Sequence, residues 1–109
     1  MQIMHYITKN SVDLFQKWLD ELSDTRARIA ILRRLDRVVQ GNFGDHKSCR
    51  DGVSEIRIDV GQGYRIYYCH HGRSVVILLC GGDKNSQKED INRAIANKAD
   101  FLLRIKEEK

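Results

Sequence analysis

Val53-Ser54-Glu55-Ile56-Arg57-Ile58-Asp59-Val60, then Gly61-Gln62-Gly63, then Tyr64-Arg65-Ile66-Tyr67-Tyr68-Cys69 is the stretch on which the fold turns. Side chains alternate across a strand, so Ile56, Ile58 and Val60 share one face and Glu55, Arg57 and Asp59 the other. In the second run Tyr64, Ile66 and Tyr68 lie opposite in sense to Arg65, Tyr67 and Cys69. A three-residue loop brings the apolar faces together. It sets Val60 against Tyr64, Ile58 against Ile66 and Arg57 against Tyr67, with Gly63 in the left-handed position. His71-Gly72 reads as a two-residue turn into a third strand, Arg73 to Cys80, which is apolar on both faces and so belongs inside the sheet.

Upstream of this meander, Gln2 to Thr8 alternates like an edge strand. Asn10 and Ser11 are helix-start residues and Asp13 suits a first turn, ahead of Val12, Phe15, Leu19 and Leu22 at helical spacing. Ser23 and Asp24 can cap a second helix. It turns Ala27, Ile31, Leu35 and Val38 inward, with Leu32 and Val39 beside them, carries Arg26, Arg33 and Arg37 outward, and ends at Gly41. Residues 41–45 read as a loop. Downstream, Ser86-x-x-Glu89 is a capping box opening a last helix with Ile91, Ile95, Leu102 and Ile105 on one side. The expectation is one α+β domain over residues 1–109. Its small antiparallel sheet, an N-terminal strand plus the meander, is packed on one face by helices.

Composition narrows the class. A chain of 109 residues, 41% hydrophobic and without proline, can bury a real core and is too apolar for a disordered protein. The longest purely apolar run, Val75 to Cys80, is far short of the about 20 residues of a membrane span. The N-terminus has no basic flank and apolar stretch of a secretory signal, so a cytoplasmic protein without a membrane partner is expected. Cys49, Cys69 and Cys80 form no Cys-x-x-Cys pair and read as reduced thiols. The net charge of +4 is uneven: residues 1–25 sum to −2, residues 26–73 to +5 and residues 74–109 to +1. An anionic partner is therefore expected at the middle of the chain.

The polar face of the meander holds Arg57, Arg65 and Tyr67. Counting by two from Leu78 through Cys80 and Gly82 brings Lys84 to the same face, and Lys47 can approach it from the preceding loop. Such a face is either an ordinary solvated surface, with Glu55 and Asp59 pairing the arginines, or a cationic platform for RNA, with phosphates on Arg and Lys and a base on Tyr67. The arginine stripe Arg26, Arg33 and Arg37 reads as a solvated helix face and Trp18 as a packing residue. Other motifs fail. Gly61-Gln62-Gly63 lacks the third glycine of a dinucleotide site, and Gly81-Gly82-Asp83-Lys84 lacks the spacing of a phosphate-binding loop. His70 and His71 are adjacent on a strand and point to opposite faces, so no metal site and no cofactor are expected.

Taken together, several pieces resemble a known family. They are Arg28-Ile29-Ala30, Gly41-Asn42-Phe43-Gly44-Asp45-His46-Lys47, Gly52-Val53-Ser54-Glu55-Ile56-Arg57-Ile58 and Gly63-Tyr64-Arg65-Ile66-Tyr67-Tyr68. Leu78-Leu79-Cys80-Gly81-Gly82-Asp83-Lys84 and Gln87-x-x-Asp90-Ile91 follow. In this order they are similar to the phage-derived addiction-module killer proteins, the HigB-like branch of the RelE/ParE toxin superfamily. Gln62 departs from that pattern, which favours proline between the two glycines. The resemblance implies a compact α+β toxin that inhibits growth by ribosome-dependent, metal-free cleavage of mRNA, held in check by a small helix-turn-helix antitoxin. It leaves open a non-enzymatic toxin of the same fold that blocks a protein such as gyrase, or a plain RNA-binding module.

Metal-free RNA cleavage uses the 2′-OH as nucleophile and needs a base, an acid and cations around the phosphorane. Arginine stays protonated, so Arg57 and Arg65 are cast as phosphate clamps. Lysine can act as a base where neighbouring cations favour its neutral form. Lys84 is the first candidate for that base and Lys47 the second, with Tyr67 stacking a base or assisting proton transfer.

Overall fold

The computed structural model describes residues 1–108. In chain order they form β1 (Gln2–His5), α1 (Leu14–Glu21), α2 (Thr25–Val39), β2 (His46–Ser48), β3 (Ser54–Ile58), β4 (Tyr64–His71), β5 (Val75–Asp83), a 3-10 turn (Lys84–Ser86) and α3 (Gln87–Glu107). The α+β class is as the sequence indicates. The sheet has five strands in the order β1-β5-β4-β3-β2, with the wholly apolar β5 inside it. Two features differ from expectation. β1 joins β5 in parallel, so the sheet is mixed rather than antiparallel, and His46–Ser48 forms an edge strand against β3 instead of a loop.

The hairpin register is two residues from the expected one. Ile58 faces Tyr64, Ile56 faces Ile66, Arg57 faces Arg65 and Glu55 faces Tyr67. A shift of two keeps every side chain on its face, so the apolar pattern cannot distinguish the two registers. The loop is residues 59–63, in which Gly61 (φ 59°) and Gly63 (φ 85°) take the left-handed conformation. The next turn is also longer than expected: His71 pairs with Val75 across Gly72, Arg73 and Ser74. Between Tyr67 and Tyr68 the ladder slips, so that Tyr67 faces Cys80 and Tyr68 faces Leu78. This bulge at Leu79 flips the alternation of β5. Cys80 and Gly82 therefore share a face with Arg65 although Leu78 does not.

Helices cover both faces of the sheet, not one. On the first face Phe15 and Leu19 of α1 and Ala27, Ile31 and Val38 of α2 pack on Ile56, Ile58, Tyr64, Ile66, Tyr68, Val76 and Leu78. α1 starts later than Asn10 and Ser11 suggest: Asp13 is its cap and accepts from the Gln16 N–H (3.0 Å). Asp24 caps α2 as expected, accepting from the Ala27 N–H. That helix closes with the Gly41 N–H donating to the Val38 carbonyl and the Asn42 N–H to Arg37. Leu32 and Val39 are exposed rather than packed.

On the second face α3 buries Val53, Tyr67, Cys69, Ile77 and Leu79 beneath Ala94, with Ile91, Ile95 and Phe101 beside it. Leu102, expected on that side, is exposed. The Ser86-x-x-Glu89 capping box does not form. The Ser86 hydroxyl instead donates to Asp90 (2.5 Å), and the acidic first turn of α3, Glu89 and Asp90, suits the positive end of the helix. Among the described residues no helix is long and apolar enough to cross a membrane.

Gly81 and Gly82 are where both helical layers touch the sheet. A Cβ on Gly81 would stand 2.2 Å from the Trp18 ring, and one on Gly82 would stand 1.8 Å from Asp90 Oδ2. Gly82→Ala should therefore destabilise the fold by about 1–3 kcal/mol, since overpacking forces backbone or helix to move. A thermal melt indistinguishable from wild type would show that α3 does not need this close approach.

Candidate active site

The second face of the sheet is divided. α3 covers its apolar part, while the end that carries Arg57 and Arg65 stays open beside the N-terminus of α3. Arg57, Arg65 and Lys84 line one cleft there, floored by Gly63 and Tyr64 and flanked by Asp45 and Asp59. The expected convergence of these three cations is what the structure shows. It arises by a different route from the simple count along β5, because the bulge at Leu79 restores the parity.

Both arginines are held by carboxylates. Arg65 projects from β4, and its Nε donates to Glu55 Oε2 at 2.5 Å. The Glu55 side chain is 2% exposed and that of Arg65 18%. Glu55 Oε1 also accepts from Gln87 Nε2 of α3 (2.9 Å) and from the Cys49 thiol (3.6 Å). With its Nε committed to Glu55, the guanidinium keeps its terminal N–H groups for the cleft. Arg57 donates from Nη2 to Asp45 Oδ1 at 2.9 Å in a half-exposed pair. Its backbone is fixed by Arg34, whose Nη1 donates to the Arg57 carbonyl (2.7 Å) while Nη2 reaches the Phe43 carbonyl (3.0 Å). Lys84 is exposed, and its backbone N–H donates to the Gly63 carbonyl (3.3 Å). The turn that carries it is held by the Asp83 carboxylate, which accepts from the Asn85 and Ser86 N–H groups.

Two expected site residues fall elsewhere. Tyr67 is 0% exposed beneath α3, and its hydroxyl is buried without a hydrogen-bond partner. Burial, and then the Glu55 and Asp90 carboxylates, push its phenol well above the ordinary value. Tyr67 can neither stack a base nor carry a proton in the cleft, because the face it shares with Arg65 is covered at its position. Lys47 is exposed on β2 opposite Glu55 and lines a separate groove with Arg50 and Gln87. The Glu55–Arg65 pair lies between that groove and the cleft. Glu55 was expected only as a solvated partner of the strand arginines, and it does pair with Arg65; Gln87, Asp45 and Arg34 were not legible as site residues. Glu55 reads as one more polar strand residue until α3 is placed over it.

The thiols offer no nucleophile. Burial and Glu55 push Cys49 up to about 11, burial and Asp90 push Cys80 to about 12, and burial raises Cys69. All three stay protonated at neutral pH. What the cleft can do is bind an anion between two oriented guanidiniums and an exposed ammonium.

Residues 17–100 match the model of the family described as Phage derived protein Gp49-like. An uncharacterized protein of Haemophilus influenzae is 51% identical over 80 residues, covering 73% of this chain and 81% of that protein.

Proposed function

The chain belongs to the Phage derived protein Gp49-like family, within the RelE/ParE-like toxin superfamily, and on that premise we propose that it is the toxin of a type II toxin–antitoxin pair, a HigB-like endoribonuclease that cuts mRNA on the ribosome without a metal. The observation that carries this reading is the cleft where Arg57, Arg65 and Lys84 converge. Blocking a protein target would not need three cations around one open floor, and a plain binding module would not need a lysine poised beside two held arginines.

In the proposed reaction Arg57 and Arg65 grip the non-bridging oxygens of the scissile phosphate. Their fixed forks match a phosphate and stabilise the extra charge of the phosphorane. Lys84 is the base that takes the proton of the 2′-OH as its oxygen attacks phosphorus. The bond from phosphorus to the 5′-oxygen breaks, and that oxygen takes up a proton from solvent water in the open cleft. The products are a 2′,3′-cyclic phosphate and a 5′-hydroxyl. Lys47, outside the cleft, contacts the RNA chain rather than the reacting atoms. The partner that restrains the toxin is a small helix-turn-helix antitoxin.

Expression of the chain alone should arrest bacterial growth, and a folded Arg65→Ala protein at matched level should not. Ends mapped on ribosome-bound message should carry 2′,3′-cyclic phosphates, and cleavage should persist in chelator with ribosomal magnesium controlled. Full arrest by folded Arg65→Ala would remove the cleft from the account. Cleavage that stops in chelator and returns with added metal would remove the mechanism.

A further inference from the structure

A second groove runs beside the cleft, along the outer face of α2. It is lined by Arg26, Ile29, Ala30 and Arg33 from the helix and by Asp59 and Val60 from the β3–β4 loop. Asp59 also flanks the cleft, so the two depressions meet at this loop. Arg26 and Arg33 stand seven residues apart on one face, about 10 Å along the helix axis. Both are exposed, and neither makes an ion pair among the described residues, unlike Arg57 and Arg65. Between them Ile29 is 45% exposed and lies beside the half-buried Ala30.

We infer that this groove is the continuation of the RNA path: single-stranded RNA leaving the cleft runs past the β3–β4 loop and lays its phosphates on Arg26 and Arg33. The inference rests on the reading of the cleft as an RNA site. Two unpaired cations about 10 Å apart suit a chain of phosphates, and a planar guanidinium beside an aliphatic side chain also offers a base a surface to lie against. Asp59 at the junction repels phosphate but accepts hydrogen bonds from a 2′-OH or a base amine. The backbone is therefore directed to the arginines on either side and a sugar or base edge to the loop. An acidic protein segment would gain from the arginines but not from Asp59, which favours RNA as the occupant.

The test compares wild type with Arg26→Ala/Arg33→Ala. Both side chains are exposed, so the double variant should fold normally. With polyglutamate as an acidic-peptide comparison, binding is measured across salt on three RNA probes. These are a 2′-O-methyl oligonucleotide just long enough to fill the cleft, one several times longer, and whole ribosomes. On the long oligonucleotide the slope of log affinity against log salt should become shallower by about 1.4, because a single strand gives about 0.7 per lost phosphate contact. On the short one it should not change. An unchanged slope on the long oligonucleotide and on ribosomes overturns the inference and leaves the cleft standing. So does a loss confined to a polyglutamate probe, which would assign the groove to an acidic protein. Wild-type binding to none of the three RNA probes overturns the reading of the cleft itself.

Discussion

Lys84→Ala is expected to slow single-turnover cleavage by about 10²- to 10⁴-fold, the usual contribution of a positioned base, with RNA affinity nearly intact. The reason lies in how the three cations are held. Arg57 and Arg65 are tied to carboxylates and cannot lose a proton, whereas Lys84 is exposed on a short turn, free of any ion pair among the described residues. A phosphate contact and a general base separate experimentally. Loss of a contact weakens binding and flattens its salt dependence, while loss of a base changes rate. Lys84→Arg sharpens the comparison, since it keeps the charge and removes the removable proton. Normal cleavage by Lys84→Arg would make Lys84 a phosphate holder and leave the base to be found elsewhere.

Glu55→Ala should be the most destabilising single change in the site. It would leave Arg65 partly buried without its partner and strip acceptors from Gln87 and the Cys49 thiol. Removing one member of a buried pair costs about 3–5 kcal/mol, a large part of the stability of a domain this size. Stability and function then come apart in the double variant Glu55→Leu/Arg65→Met. An apolar pair of similar volume can pack as well as the ion pair, so the melt should recover most of the loss. Cleavage should not recover, because the guanidinium is gone. A double variant as unstable as Glu55→Ala would mean that the site needs the charges for folding itself. One that still cleaves would mean that Arg65 is not a phosphate clamp.

Much of the frame was legible in the sequence because it depends on periodicity. The buried stripe Ala27, Ile31, Leu35 and Val38, the Asp24 cap and the interior position of Val75 to Cys80 all follow from spacing and side-chain type. What escaped depends on contacts that periodicity does not encode. His46-Lys47-Ser48 has no apolar residue to mark it as a strand and exists only as an edge on β3. The hairpin register could slip by two because a period of two looks the same after such a shift. Tyr67 was assigned to an open surface because its strand alternates polar and apolar. The long α3 covers that half of the face and leaves the Arg57 and Arg65 end bare. The burial of Glu55 was hidden for the same reason: a carboxylate facing water and one sealed under a helix are the same letter in the sequence.

The parallel pairing of β1 with β5 sets an order of assembly during synthesis. Residues 2–5 leave the ribosome some seventy residues ahead of their partners, residues 75–78. Until β5 emerges, β1 has no neighbour and β4 lacks one of its two edges. Such long-range closure is slow compared with hairpin formation. Lys84 follows directly on that strand, so the cleft does not exist on any nascent chain that ends before it. The three cations come together only after β5 has been laid between β1 and β4.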